Sequence, residues 1–258
     1  MSFESGTYAS SLGLPLANAS GASRGPLTQQ EAGILTSKLE NDSQKLIYSS
    51  LLSIADAFRG LELGYTTWPT VKFYYSCFYS VRAILALSNV CLYYEGKKGR
   101  WLESISGRVP AKSPNRAGGS THKFAFLIFE QLFPSSPILS QSIDNFPPFE
   151  WFMSRREDAN YNIARFVEPS ENPNFCYLKK GDIRKLCVQY LRDDHLAFDP
   201  DHAVMAFPLF LLNHIKSLGV RGATCVQSVE ENKAYEAYFS DRFGHLRPML
   251  EIKNSIIL

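Results

Sequence analysis

Trp68-Pro-Thr-Val-Lys-Phe-Tyr-Tyr-Ser-Cys-Phe-Tyr-Ser-Val-Arg-Ala-Ile-Leu-Ala-Leu87 is the stretch on which the fold turns. Proline suits the first turn of a helix, and Val71, Phe73, Tyr74, Phe78, Val81, Ile84, Leu85 and Leu87 leave no wide polar face. A helix that is apolar nearly all round belongs in the interior, so this one is expected at the centre of the fold. Its aromatic side chains read as core. Arg82 interrupts the run, and a charge in such a place needs a partner, a cavity or a subunit interface, an ion pair being the commonest.

Upstream, Leu46, Ile47, Leu51, Leu52, Ile54, Ala55 and Phe58 recur at helical spacing from Ser43 until Gly60 and Gly64. Order is expected to begin near Thr28, because the small polar residues of 1–27 cannot offset the entropy of fixing their backbone; they read as a flexible arm. Downstream, periodicity vanishes between Glu95 and Ser120, which predicts a long loop or a pair of short helices. Helices follow at Thr121–Phe133, stopped by Pro134, and from Pro147-Pro148 through Trp151 to about Phe166. Asp182 is placed to cap another helix through Tyr190. Beyond Asp199 come an apolar helix at Ala203–Leu218, an amphipathic one at Val229–Phe243, and a tail, Met249–Leu258, that fits a strand or a last turn. The expected class is all-α: an arm (1–27), a helical bundle (28–198) whose core spans Ser43 to Tyr190, and a C-terminal helical extension (199–258).

With 258 residues, 20% charged and 45% hydrophobic, the chain has the composition of a folded protein. A net charge of +2 does not mark a nucleic-acid binder, so any such role must rest on local charge. Cys77, Cys91, Cys176, Cys187 and Cys225 are odd in number and form no CxxC pair, which reads as reduced thiols in a cytoplasmic protein. No basic, apolar secretory leader and no run of about 18 apolar residues is found, so neither export nor membrane insertion is expected. His195, His202, His214 and His245 show no metal-ligand spacing. With no glycine-rich phosphate loop, nucleophile elbow or paired carboxylates, neither metal nor cofactor is expected.

Three elements occur in a particular order: Tyr74 to Leu85 of the central helix, Thr121-His122-Lys123 opening the next, and Arg156-Glu-Asp-Ala-Asn-Tyr161. In order and spacing they resemble the HEPN superfamily, helical domains of prokaryotic toxin, antiphage and RNA-processing systems, over roughly Leu46 to Tyr190. The last element is similar to that family's tyrosine branch, with Asn160 where aspartate is usual. The resemblance implies an antiparallel helical bundle that forms a homodimer, bringing two copies of Arg156, Asn160 and Tyr161 together. It implies a component of a defence or toxin–antitoxin system, either a metal-independent endoribonuclease acting on RNA or a noncatalytic subunit. The partner would be a cognate antitoxin or a larger defence protein, such as a nucleotidyltransferase or an ATPase.

The residues themselves add two readings. No histidine lies four to six residues beyond Arg155 or Arg156, and a phenol such as Tyr161, with an ordinary pKa of about 10, is a poor general base at neutral pH. Arg156 and Asn160, at i and i+4, share a helix face that would cradle a phosphate; the alternative is an Arg156 paired with Glu157, Asp158 or another carboxylate and merely ordering the bundle. The basic stretch Lys97, Lys98, Arg100, Arg108, Lys112 and Arg116, with His122 and Lys123, is the candidate nucleic-acid surface, a solvated face being its bland reading. For His122 the alternative is an interaction with the exposed end of its helix.

Overall fold

Thr28 and Glu31 set the start of the longest helix. The Thr28 hydroxyl accepts from the Glu31 amide at 3.3 Å, and the Glu31 carboxylate accepts from the Thr28 amide at 3.0 Å, a reciprocal capping box. The helix, α2, runs Gln29–Glu62 in the computed structural model, which describes residues 3–16, 24–118, 120–160, 175 and 182–218. The remaining helices are α1 (Glu4–Ser11), α3 (Thr67–Leu87), α4 (Thr121–Leu132), α5 (Pro148–Asn160), α6 (Ile183–Tyr190) and α7 (Ala203–Ser217). The fold is thus largely helical, as expected. The expected helices at 229–243 and beyond 160, and the tail from 249, lie outside the described residues.

Two expectations are corrected. Where a loop or short helices were predicted, Val90–Glu95 (β1), Lys98–Glu103 (β2) and Ala111–Lys112 (β3) form an antiparallel sheet in the order β1-β2-β3. Its pairing runs from Val90 opposite Glu103 to Glu95 opposite Lys98. The two-residue loop between them places Gly96 at φ +60, the first central position where a tight hairpin favours glycine. Val, Leu and Tyr in β1 suit a pleated surface, and with six residues per strand the run is too short for a helical period to show.

The second correction concerns the arm. Residues 4–11 form α1, held by a carboxylate from another helix: Asp42 of α2, 2% exposed, accepts from the Glu4 amide (3.2 Å), the Ser5 amide (2.9 Å) and the Ser5 hydroxyl (2.6 Å). These are amides that the first turn of a helix leaves without internal partners. Composition alone missed this, because the cap is supplied 37 residues away. Residues 24–27 are held as well: the Leu27 amide donates to the Arg108 carbonyl at 2.9 Å, and Leu27 is buried.

The chain divides into two compact units. Unit one is Met1–Leu46 with Val81–Pro134, and unit two is Ile47–Ser80 with Ser135–Leu258. In unit one, Ala9, Leu14, Leu27, Leu35, Leu39, Cys91, Tyr93 and Leu102 form the core. Ser104 ties it together, its hydroxyl 2.8 Å from the Ala32 carbonyl and 2.9 Å from the Thr36 hydroxyl.

In unit two, Phe58 meets Phe73 edge-on at 5.3 Å, and Phe207 of α7 lies against Phe149, Phe152, Phe198 and Phe210. Ala203 to Leu212 is buried without a break, so α7, which the sequence assigns to an extension, packs on α5. Three buried hydroxyls satisfy one another, Ser50 Oγ lying 2.8 Å from both Ser76 Oγ and Ser80 Oγ. Phe78 of α3 is buried here, as Val81 and Leu85 of the same helix are in unit one, which its all-round apolar pattern requires. Asp182 stands at the N-cap of α6, but its side chain makes no capping bond. Among the described residues no helix is long and apolar enough to cross a membrane.

Cys77, Cys91 and Cys187 are buried free thiols. Burial disfavours the thiolate, raising Cys77 well above its ordinary range and pushing Cys91 and Cys187 up to about 12. Native protein at pH 8 should therefore leave all three unmodified by iodoacetamide, as peptide mass mapping would read. Alkylation of any of them without unfolding would contradict their packing.

Candidate nucleic-acid interface

Two places bear on function, one in each unit. The first is the hairpin of unit one. Lys97 ends its loop, Lys98 and Arg100 lie on β2 and Lys112 on β3, so sheet pairing gathers cations spread over 16 positions; Arg100 stands directly opposite Lys112. These four line a cavity of about 410 Å³ together with Ser113, Asn115, Ser120, Tyr94 and Phe124. Among the described residues no carboxylate lines it. Gly99 sets its depth, since a Cβ there would stand 2.9 Å from Ser113 Cβ and 3.3 Å from the Phe124 ring.

The four cations differ in state. Arg100 is 6% exposed and its Nε donates to Glu95 at 3.0 Å, so its charge is matched within the sheet. Lys97, Lys98 and Lys112 are exposed and form no ion pair among the described residues. The N-terminus of α4 adds to the same field. Its cap residue, Ser120, lines the cavity while its hydroxyl accepts from the Lys123 amide at 3.4 Å. The helix dipole there favours an anion, as the lysines do. The three exposed lysines repel one another, and a bound anion relieves that repulsion.

The rest of the predicted surface does not join this cavity. Arg108 pairs with Glu103 at 2.8 Å, and Arg116, on the turn Asn115–Ala117, is absent from the lining. His122 and Lys123 sit in the first turn of α4, His122 half-buried and Lys123 exposed, with the cap made by Ser120. Conversely, Tyr94, Gly99, Ser113, Asn115, Ser120 and Phe124 escaped the sequence reading. The signal was present in Glu95-Gly-Lys-Lys-Gly99, a hairpin turn flanked by strand-forming residues.

The second place is α5 in unit two. Arg156 is half-buried, its guanidinium 5.6 Å from the centre of the Tyr74 ring on α3. Two of the motif-bearing helices thus meet through a cation on an aromatic face. Burial drives the Tyr74 phenol above its ordinary range, an effect that the Arg156 charge partly offsets, so this hydroxyl is no base. Asn160, also half-buried, ends α5, and Tyr161 lies outside the described residues.

No protein-family model matches the chain, and no curated protein or solved structure is significantly similar to it. These two places are therefore what bears on function. Arg82, expected to need a partner, lies with its guanidinium 3.9 Å from the Phe3 ring centre, so the residue that precedes α1 supplies an aromatic face for it.

Proposed function

We propose that this chain is a HEPN-like component of a prokaryotic defence or toxin–antitoxin system that binds RNA through the hairpin cavity of unit one. The observation that carries the binding is the convergence of Lys97, Lys98 and Lys112 on a cavity that no carboxylate among the described residues lines, beside the N-terminus of α4. Phosphate is the anion that such a site suits, because ammonium groups and helix-end amides match its charge and its acceptor oxygens. The HEPN assignment rests on the order of the three motifs, and the helical bundle, the homodimer and the system belong to the same proposal. In that reading Arg156 and Asn160, with Tyr161 following, face their copies across the two-fold axis.

A second reading has its own support. Arg156 rests on Tyr74 of its own chain, and a guanidinium held so serves packing as well as phosphate. This favours a noncatalytic subunit that holds a nucleotidyltransferase or an ATPase over a metal-independent endoribonuclease.

The test takes purified protein with labelled single-stranded RNA in EDTA, following anisotropy across a salt series and the length of the RNA on a gel, with Arg156→Ala in parallel. Binding that weakens steeply with salt is the expected result, with both proteins eluting as dimers and the RNA intact. Cleavage by the wild type that Arg156→Ala abolishes would restore the ribonuclease reading. No binding at low salt would remove the RNA reading altogether.

A further inference from the structure

A second cavity, of about 620 Å³, opens in unit one beside the first. Tyr94 and Phe124 line both, so these two rings form a shared wall; they meet edge-on at 5.9 Å, and the Tyr94 hydroxyl donates to Thr121 at 3.1 Å. The two cavities differ in chemistry. Among the described residues the first is lined by four cations and no acid, whereas the second has one cation, Arg82, with aromatic and hydroxyl side chains.

The walls of the second cavity are Phe3, Leu92, Tyr93, Tyr94 and Phe124, and along its rim lie the small residues of α1, Gly6 among them. Gly6 lets the helix approach β1 so closely that a Cβ there would stand 3.3 Å from Tyr93 Cβ and 3.5 Å from the Leu92 carbonyl oxygen. Tyr93 is 4% exposed, and its hydroxyl, buried with no hydrogen-bond partner among the described residues, belongs to the core of unit one and offers the cavity no surface. An apolar cavity with a few converging polar groups is the usual form of a site for a flat organic group.

We infer that the pair of cavities holds one nucleotide of a single strand, its phosphate among Lys97, Lys98 and Lys112 and its base in the second cavity, across the Tyr94 and Phe124 wall. This rests on the RNA reading above and narrows its substrate to an unpaired strand. A base inside a duplex is stacked and paired and cannot leave it for a side cavity without breaking both interactions. An unpaired base exchanges water for the aromatic surface of this wall on entry.

The experiment compares three 5′-labelled ligands of equal length by anisotropy: single-stranded RNA, an abasic ribose phosphate oligomer and duplex RNA. Each is tested with the wild type and with Ser10→Trp, an exposed position on the rim from which an indole would fill the second cavity without touching the core. Wild type should prefer the single strand to the abasic oligomer by about five- to hundredfold, the range for stacking one base on an aromatic side chain. In Ser10→Trp the single strand should fall to the abasic level, with abasic binding unchanged. Equal binding of the abasic oligomer or the duplex by the wild type would overturn the base site and leave the phosphate reading standing. Retained preference in Ser10→Trp would place the base elsewhere and overturn the inference too. Failure of all three ligands to bind would remove the RNA reading itself.

Discussion

The K97A/K98A/K112A protein should bind single-stranded RNA about a hundredfold more weakly than wild type at 0.1 M salt. Each phosphate neutralised on a single strand contributes about 0.7 to the slope of log affinity against log salt, so three lysines contribute about 2. At 0.1 M that slope corresponds to about two orders of magnitude. The fold should not suffer, because all three side chains are exposed and take part in no ion pair among the described residues. Arg100 is left in place for the opposite reason: it is buried and held by Glu95, and removing it would strand a carboxylate. Arg108→Ala is the control, since its charge already meets Glu103 outside the cavity. A triple variant with the wild-type salt slope would show that the hairpin cavity is not where phosphate binds.

Asp42→Ala should cost about 3 kcal/mol and free α1. Hydrogen bonds to an ionised group contribute about 1.5–3 kcal/mol each, and Asp42 accepts three in a buried place, with water recovering part of the loss once the helix lifts. The Glu4 pair with Lys45 joins the same two helices, but both side chains are about half exposed, and such pairs contribute about 0.2–1 kcal/mol. Lys45→Ala should therefore be nearly silent in a urea titration. Amide exchange within residues 4–11 should rise to the rate of an open segment in Asp42→Ala alone. Phe3, Thr7 and Ser10 wall the second cavity, so the same variant should lose its preference for a single strand over an abasic oligomer. Protection of α1 at the wild-type level would mean that apolar contacts such as Ala9 dock it without the carboxylate.

The two effects differ in how visible they are from sequence. The lysines are plain to see between Glu95 and Ser120, and their role as the nucleic-acid candidate follows from charge alone. Their convergence is not, because a glycine at position 96 and two six-residue strands carry too little periodicity to separate a hairpin from a loop. Asp42 is less legible still. In sequence it is one acidic residue between Asn41 and Ser43 on a helix; its capping role exists only once another helix has been brought 37 residues back to it.

What the sequence determined by itself is the local part: where most of the core helices lie, and which faces turn inward. Pro69 and Pro148 open α3 and α5, Pro134 follows α4 closely, and the unbroken apolar runs of α3 and α7 leave burial as their only stable state. These signals reside within one or two turns of chain, where hydrogen bonding and side-chain spacing are local. The tertiary structure decided the docking of α1, the sheet in place of a loop, the contact of Arg156 with Tyr74 and the two cavities that share Tyr94 and Phe124. Each of these joins residues from different elements. The free energy of such a meeting depends on what both sides bury together, which no single stretch of sequence specifies.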